Sequence, residues 1–159
     1  MTLLDRIRAL LQLDGVPSQD GREEICFLTK CQSLSVTMRI RLGPDLVLVM
    51  AQLPVFGPIY RRPALCEAIA RANYGLYLGN FELDMADGEL RFKSSLPVND
   101  AEPSDTQIRR LISNSIGVVA HYGPALLDVA CTELEPAMAI EKANANWKEL
   151  HRNHNVARA

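Results

Sequence analysis

Apolar residues recur first at helical spacing: Leu3, Leu4, Ile7, Leu10 and Leu11 follow a Thr2/Asp5 capping signal, so a first helix is expected over about 2–13. A Gly-, Pro-, Ser- and Asp-containing loop from Asp14 to Gly21 follows, and the period then changes. Glu23 to Cys31 places Ile25, Phe27 and Thr29 on one side and Cys26 and Leu28 on the other, a β-like run covered on both faces. Leu34, Val36, Met38, Ile40 and Leu42 then alternate with Ser35, Thr37, Arg39 and Arg41, the pattern of a strand with one wet face. Gly43-Pro44-Asp45 turns the chain into the apolar run Leu46 to Leu53, which fits a central strand.

The stretch from Pro63 to Val98 is a helix feeding a hairpin. Leu65, Ile69, Ala72 and Leu76 repeat behind Pro63, and Cys66, Ala68 and Ala70 leave only Glu67 and Arg71 as a polar strip, so this helix is expected to be covered on most sides. A two-residue Asp87-Gly88 turn pairs Ala86 with Glu89, Met85 with Leu90, Leu83 with Phe92, Asp84 with Arg91 and Glu82 with Lys93. That register gives one apolar face and one ladder of opposite charges, whereas a three-residue loop would turn each side chain to the wrong face.

Ser104 with Gln107 forms a capping box for a third helix carrying Ile108, Leu111, Ile112, Ser115, Val119 and Tyr122. Gly123-Pro124 is expected to kink or split it. Thr132 with Glu135 caps a fourth helix beginning at Pro136, with a narrow seam of Ile140, Ala143, Trp147 and Leu150 and a tail from His151 to Ala159 that should fray. The fold class is α+β in the order αβββαββα, an antiparallel sheet packed against helices with an extra C-terminal helix. The expected division is a domain over 1–133 and a helical extension over 134–159.

The 159 residues, 48% hydrophobic, suffice for one ordinary core. A net charge of −2 and a pI near 5.9 give no long-range attraction for nucleic acid or anionic lipid, so neither nucleic acid nor membrane is an expected partner. No apolar run reaches the roughly 18 residues of a membrane span and no leader pattern opens the chain, which leads us to expect a cytoplasmic protein. Cys26, Cys31, Cys66 and Cys131 lack C-x-x-C spacing and lie in apolar segments, so four buried, reduced thiols are expected.

Residues 72–98 carry a pattern of specific residues: Asn73, Tyr74 and Gly75 at a helix end, Glu82 and Asp84 on an acidic strand, the Asp87-Gly88 turn, then Arg91, Phe92 and Lys93. This resembles the signature stretch of the YbjN-type bacterial family, labelled as sensory transduction regulators, over roughly Leu3 to Cys131. The resemblance implies the fold of type III secretion chaperones, dimers that hold extended segments of a client protein. It brings no catalytic residues with it.

Candidate chemistry is sparse. Cys66 or Cys131 with His121 and Asp128 has no activating spacing for a nucleophilic triad, His151 and His154 lack two further metal ligands, and Asp84, Asp87 and Glu89 lack calcium-loop spacing. No catalytic residue, metal or cofactor is assigned. Arg39, Arg41, Tyr60, Arg61 and Arg62 are read as a solvated face partly paired with Glu23 and Glu24 on the neighbouring strand. Two apolar features have no evident cover: Phe56, Ile59 and Tyr60 in the loop from Pro54 to Arg62, which are expected first to fold back onto the sheet edge and otherwise to form an interface, and Ile140, Trp147 and Leu150 on the fourth helix, which either join a dimer contact or fold back to lay Trp147 over the Phe56 loop. The expected function is therefore a non-catalytic protein-interaction module, chaperone-like or regulatory, working as a homodimer with a protein client. A small enzyme whose site is assembled across a dimer is the alternative, and a nucleic-acid-associated regulator the third reading.

Overall fold

The computed structural model describes residues 1–21, 23–98 and 101–156, without the side chains of 20 and 149–156. Helix α1 (Leu3–Leu13) starts on the Thr2 capping box, Asp5 answering the Thr2 backbone amide at 2.9 Å. Strands β1 (Gln19–Asp20), β2 (Glu24–Cys31), β3 (Leu34–Gly43) and β4 (Leu46–Phe56) follow, then a 3₁₀ turn (Ile59–Arg61) and helix α2 (Arg62–Asn73). Strands β5 (Asn80–Leu83) and β6 (Glu89–Pro97) lead to α3 (Asp105–Cys131) and α4 (Pro136–Val156). Apart from the two-residue β1 and the 3₁₀ turn, this is the expected order.

The six strands form one antiparallel sheet in the order β1-β2-β3-β4-β6-β5. Its period-2 alternation sends Ile25, Phe27, Val36, Met38, Ile40, Val49, Ala51, Leu90 and Phe92 to one face, all buried. Helix α3 covers that face with Ile108, Leu111, Val119, Leu126 and Val129, while α1 adds Leu4, Ile7, Leu10 and Leu11. Among the described residues no helix covers the other face, where Leu28, Arg39 and Arg41 are exposed.

Several expectations change. The chain from Pro54 to Phe56 belongs to β4, beyond an irregularity between Gln52 and Phe56, so the loop is shorter than its two prolines suggest. Helix α2 ends at Asn73 and buries one face only, Leu65, Ala68, Ile69 and Ala72; Cys66 and Ala70 are exposed because small side chains do not themselves demand cover. Helix α3 is unbroken through Pro124. Its packing holds the segment helical on both sides of the proline: Gly123 lies so close to β3 that a Cβ there would meet Leu34 Cδ1 at 2.8 Å. All four cysteines are free, but only Cys31 is buried; Cys26 is half-buried, and Cys66 and Cys131 are exposed.

The β5–β6 hairpin differs from expectation by two residues. Leu83 pairs with Leu90, Glu82 with Arg91, Phe81 with Phe92 and Asn80 with Lys93. A type I′ turn needs positive φ at both central residues, and Asp87 has none; among the non-glycine described residues only Gln32 does. The loop is instead longer and held by its own aspartates. Gly88 N–H donates to Asp84 O at 2.8 Å, Ala86 N–H to Asp84 Oδ1 at 2.7 Å and Glu89 N–H to Asp87 Oδ1 at 2.8 Å. A shift of two residues preserves the faces, so the charge ladder survives with new partners. Glu82 now receives both Arg91, at 2.9 Å, and Lys93.

Gly88 keeps its positive φ of 89°, and a Cβ there would meet Gly57 O at 2.4 Å. Gly88→Ala combines that clash with left-handed strain, so a loss of about 2 kcal/mol or more is expected in denaturant unfolding; an unchanged midpoint would contradict the close approach. Burial pushes the Glu82 carboxyl up, but the bonds from Lys93, Arg91 and Asn80 together hold it below its ordinary value. A depressed carboxyl stabilises the fold above its unfolded value of about 4.3 and loses that contribution as pH falls through the folded value. Glu82→Gln is therefore expected to be less stable than wild type near neutral pH, by at most about 1 kcal/mol for so exposed a network. The gap should close below about pH 4; a pH-independent gap in melting temperature would contradict this.

Candidate protein interface

At the corner between β4 and α2 the large apolar groups do not fold back onto the sheet edge, the first expectation, but stay open. Phe56 is 54% exposed, Ile59 78% and Tyr60 75%. Met85, on the β5–β6 loop that packs against this corner, is 57% exposed, and its Sδ lies 3.9 Å from Cys66 Sγ.

Two arginines hold the backbone beneath these side chains. Arg61, its side chain only 12% exposed, donates through Nε to Val129 O at 2.8 Å and through Nη2 to Leu134 O at 3.0 Å, and its Nη1 reaches Glu133 at 3.2 Å. A fixed guanidinium thus answers carbonyls at the C-terminal end of α3, where unpaired acceptors and the negative end of the helix dipole favour a cation. Arg62 donates through Nε to Gly57 O at 3.0 Å and through Nη1 to Met85 O at 2.6 Å. Gly57 N–H donates to Gly88 O at 2.7 Å, closing the contact between the two loops. The sequence reading set Arg61 and Arg62 on a solvated, partly paired face. They are clamps, and sequence alone carries no sign of it because their acceptors are backbone carbonyls, in Arg61's case about seventy residues away.

The seam on α4 has a different fate. Ile140 is 4% exposed and packs with Ala139 and Ala143 into the core, while Tyr122 Oη donates to Asn144 Oδ1 at 2.9 Å. Trp147 lies parallel to the His121 ring, centroids 4.5 Å apart at 5°, and Tyr122 also stacks on that imidazole, at 3.9 Å. Helix α4 therefore folds back onto α2 and α3, and its tryptophan is laid on α3 rather than over Phe56. The Leu150 side chain, and those of His151 and His154, lie outside the described residues. Of the six candidate interface residues, Phe56, Ile59 and Tyr60 remain together and open, and Ile140 and Trp147 are taken up within the chain.

His121 is held in an aromatic stack, and Cys66 sits beside Met85. Burial raises the Cys31 thiol, the reverse of what nucleophilic activation requires. Among the described residues no helix is long and apolar enough to cross a membrane, and no three potential ligands gather around a metal position.

Residues 3–128 match the family described as "YbjN: Putative bacterial sensory transduction regulator". The chain belongs to the YbjN family. It is similar in structure to the crystal structure described as "YbjN, a putative transcription regulator from E. coli", at 18% sequence identity and a TM-score of 0.63, over 92% of this chain and 94% of that one. At that identity the likeness speaks to the fold. No curated protein matches the sequence. The YbjN signature residues acquire structural roles: Asn73 pins β5 by accepting from Phe81 N–H at 2.8 Å and donating to Phe81 O at 3.1 Å, Glu82, Arg91 and Lys93 form the ladder, and Gly88 permits the contact with Gly57.

Proposed function

We propose that this YbjN-family chain is a non-catalytic, regulatory protein-interaction module that works as a cytoplasmic homodimer and binds a protein client, on a secretion-chaperone-like arrangement of one sheet and its covering helices. The observation that carries the reading is the exposed trio Phe56, Ile59 and Tyr60 on a backbone clamped by Arg61 and Arg62. An apolar loop that simply lacked a partner would gain by folding onto the sheet; this one is held outward. Burying each large side chain contributes about 1.5–3 kcal/mol, and a pre-ordered corner loses little entropy on docking. A two-fold contact presents the same corner from both copies, so the three residues count twice.

The test is light scattering with sedimentation from low to high micromolar concentration. The wild type is expected to be dimeric, and Ile59→Ser combined with Tyr60→Ser should shift it to monomer with little loss of melting temperature, since neither side chain is packed in the core. A wild-type monomer at high micromolar concentration would sink the dimer, and a double variant that still dimerises would move the interface elsewhere.

A further inference from the structure

The bare face of the sheet has a composition that its role as a wet surface does not require. Alternation places Glu24, Cys26, Leu28 and Lys30 of β2 outward, with Ser35, Thr37, Arg39 and Arg41 of β3, Leu46, Leu48, Met50 and Gln52 of β4, Glu89, Arg91, Lys93 and Ser95 of β6, and Asn80 and Glu82 of β5. The central strand therefore presents three large apolar side chains in succession on the uncovered side, where an antiparallel sheet is ordinarily polar. In register, Met50 stands between Arg39 and Lys93, and Leu48 between Arg41 and Ser95. Leu28, at the β2 side of the same face, is 71% exposed.

The charges on the two flanks are not equivalent. On the β6 flank Arg91 and Lys93 are answered by Glu82, and Arg91 also by Glu89. On the β3 flank Arg39 and Arg41 are exposed, and among the described residues neither has an ion pair or side-chain hydrogen bond. Glu24 stands opposite Arg41 in register without closing a bridge. The face thus carries unanswered positive charge in a chain whose net charge is −2.

We propose that this open face is a second docking surface, for an acidic amphipathic segment of a protein partner whose carboxylates meet Arg39 and Arg41 and whose apolar side chains rest on Leu48 and Met50. This rests on the reading of the chain as a protein-interaction module and assigns the client its chemistry. A protein is favoured over a nucleic acid by where the aromatics point. Phe27, Phe81 and Phe92 face the helices and are buried, and the exposed Phe56 stands opposite Glu89 at the far end of β4 rather than beside Arg39 and Arg41, so the arginine flank offers no ring on which bases can stack, whereas its apolar strip suits aliphatic side chains. Arginines in this position set specificity and on-rate, and the strip beside them supplies area.

Three labelled probes of equal length separate the possibilities in fluorescence anisotropy with the full-length chain: a peptide alternating leucine and glutamate, its leucine and lysine counterpart, and oligo-dT. The acidic peptide is expected to bind about tenfold or more tightly than the basic one, to weaken as salt is raised, and to shift the amide resonances of β3 and β4. Arg39→Glu with Arg41→Glu should lower that affinity by at least about tenfold, and the milder Arg39→Gln with Arg41→Gln serves if the reversal disturbs folding. Arg110→Glu on α3, on the other side of the sheet, should change nothing. Equal binding of both peptides, or binding indifferent to the arginine variants, would overturn the proposal. Oligo-dT bound more tightly than the acidic peptide, and lost with the same arginines, would overturn the assignment to protein. The Ile59→Ser/Tyr60→Ser variant distinguishes the two readings: acidic-peptide binding retained by a monomer leaves this surface standing without the dimer, and a dimer deaf to the peptide leaves the dimer standing without this surface.

Discussion

Gly88 approaches Gly57 so closely that it has no room for a side chain, and Gly57 is hemmed in from its other side by α2. A Cβ on Gly57 would meet Leu65 Cδ1 at 2.6 Å, and one on Gly88 would meet Gly57 O at 2.4 Å. This backbone contact, sealed by the bond from Gly57 N–H to Gly88 O, joins the end of β4 to the β5–β6 loop and fixes where α2 begins. Arg62 braces it from one side by holding Gly57 O and Met85 O together, and Arg61 ties the adjoining turn to the end of α3. The outward position of Phe56, Ile59 and Tyr60 follows from that bracing. With the backbone committed to these bonds, the apolar side chains have no route back to the sheet.

The sheet is asymmetric in a way that bears on partners. One face is closed by α1 and α3, and the β5 edge is blunted because Asn73 occupies the outward amide and carbonyl of Phe81. Cover is thus spent on one side, and both the clamped corner and the open face lie where no helix shields them. A chain built this way can present two chemically different surfaces at once, one apolar and clamped, one mixed and cationic.

What could be read from the sequence follows from which physical signals are local. Alternation in β3 and the capping residues of α1 and α3 act within a few residues, and those elements appear as expected. Hairpin parity was legible too, because only an even shift keeps Phe92 and Leu90 inward and Arg91 and Lys93 outward. The loop length was not, since Asp84 and Asp87 bonding to nearby amides compete with a tight turn and alternation is blind to a shift of two. Thiol exposure was misread because apolar neighbours in sequence do not fix which side of α2 or α3 meets solvent. The uncovered trio was visible as apolar side chains among prolines and glycines, but the clamps beneath it were not: Arg61 finds Val129 and Leu134 only through the tertiary fold.

Native-state hydrogen exchange at the Gly57 and Arg61 amides tests the central claim, that the corner is a rigid platform rather than a mobile loop. Both donate within the braced turn, Gly57 to Gly88 O and Arg61 to Pro58 O at 2.8 Å. They should exchange only through global or near-global opening, with protection close to that of the β3–β4 core amides. Exchange at the rate of an unstructured loop in the wild-type protein would contradict the account, because exposed apolar side chains on a mobile segment would then be spare surface and not a presented one.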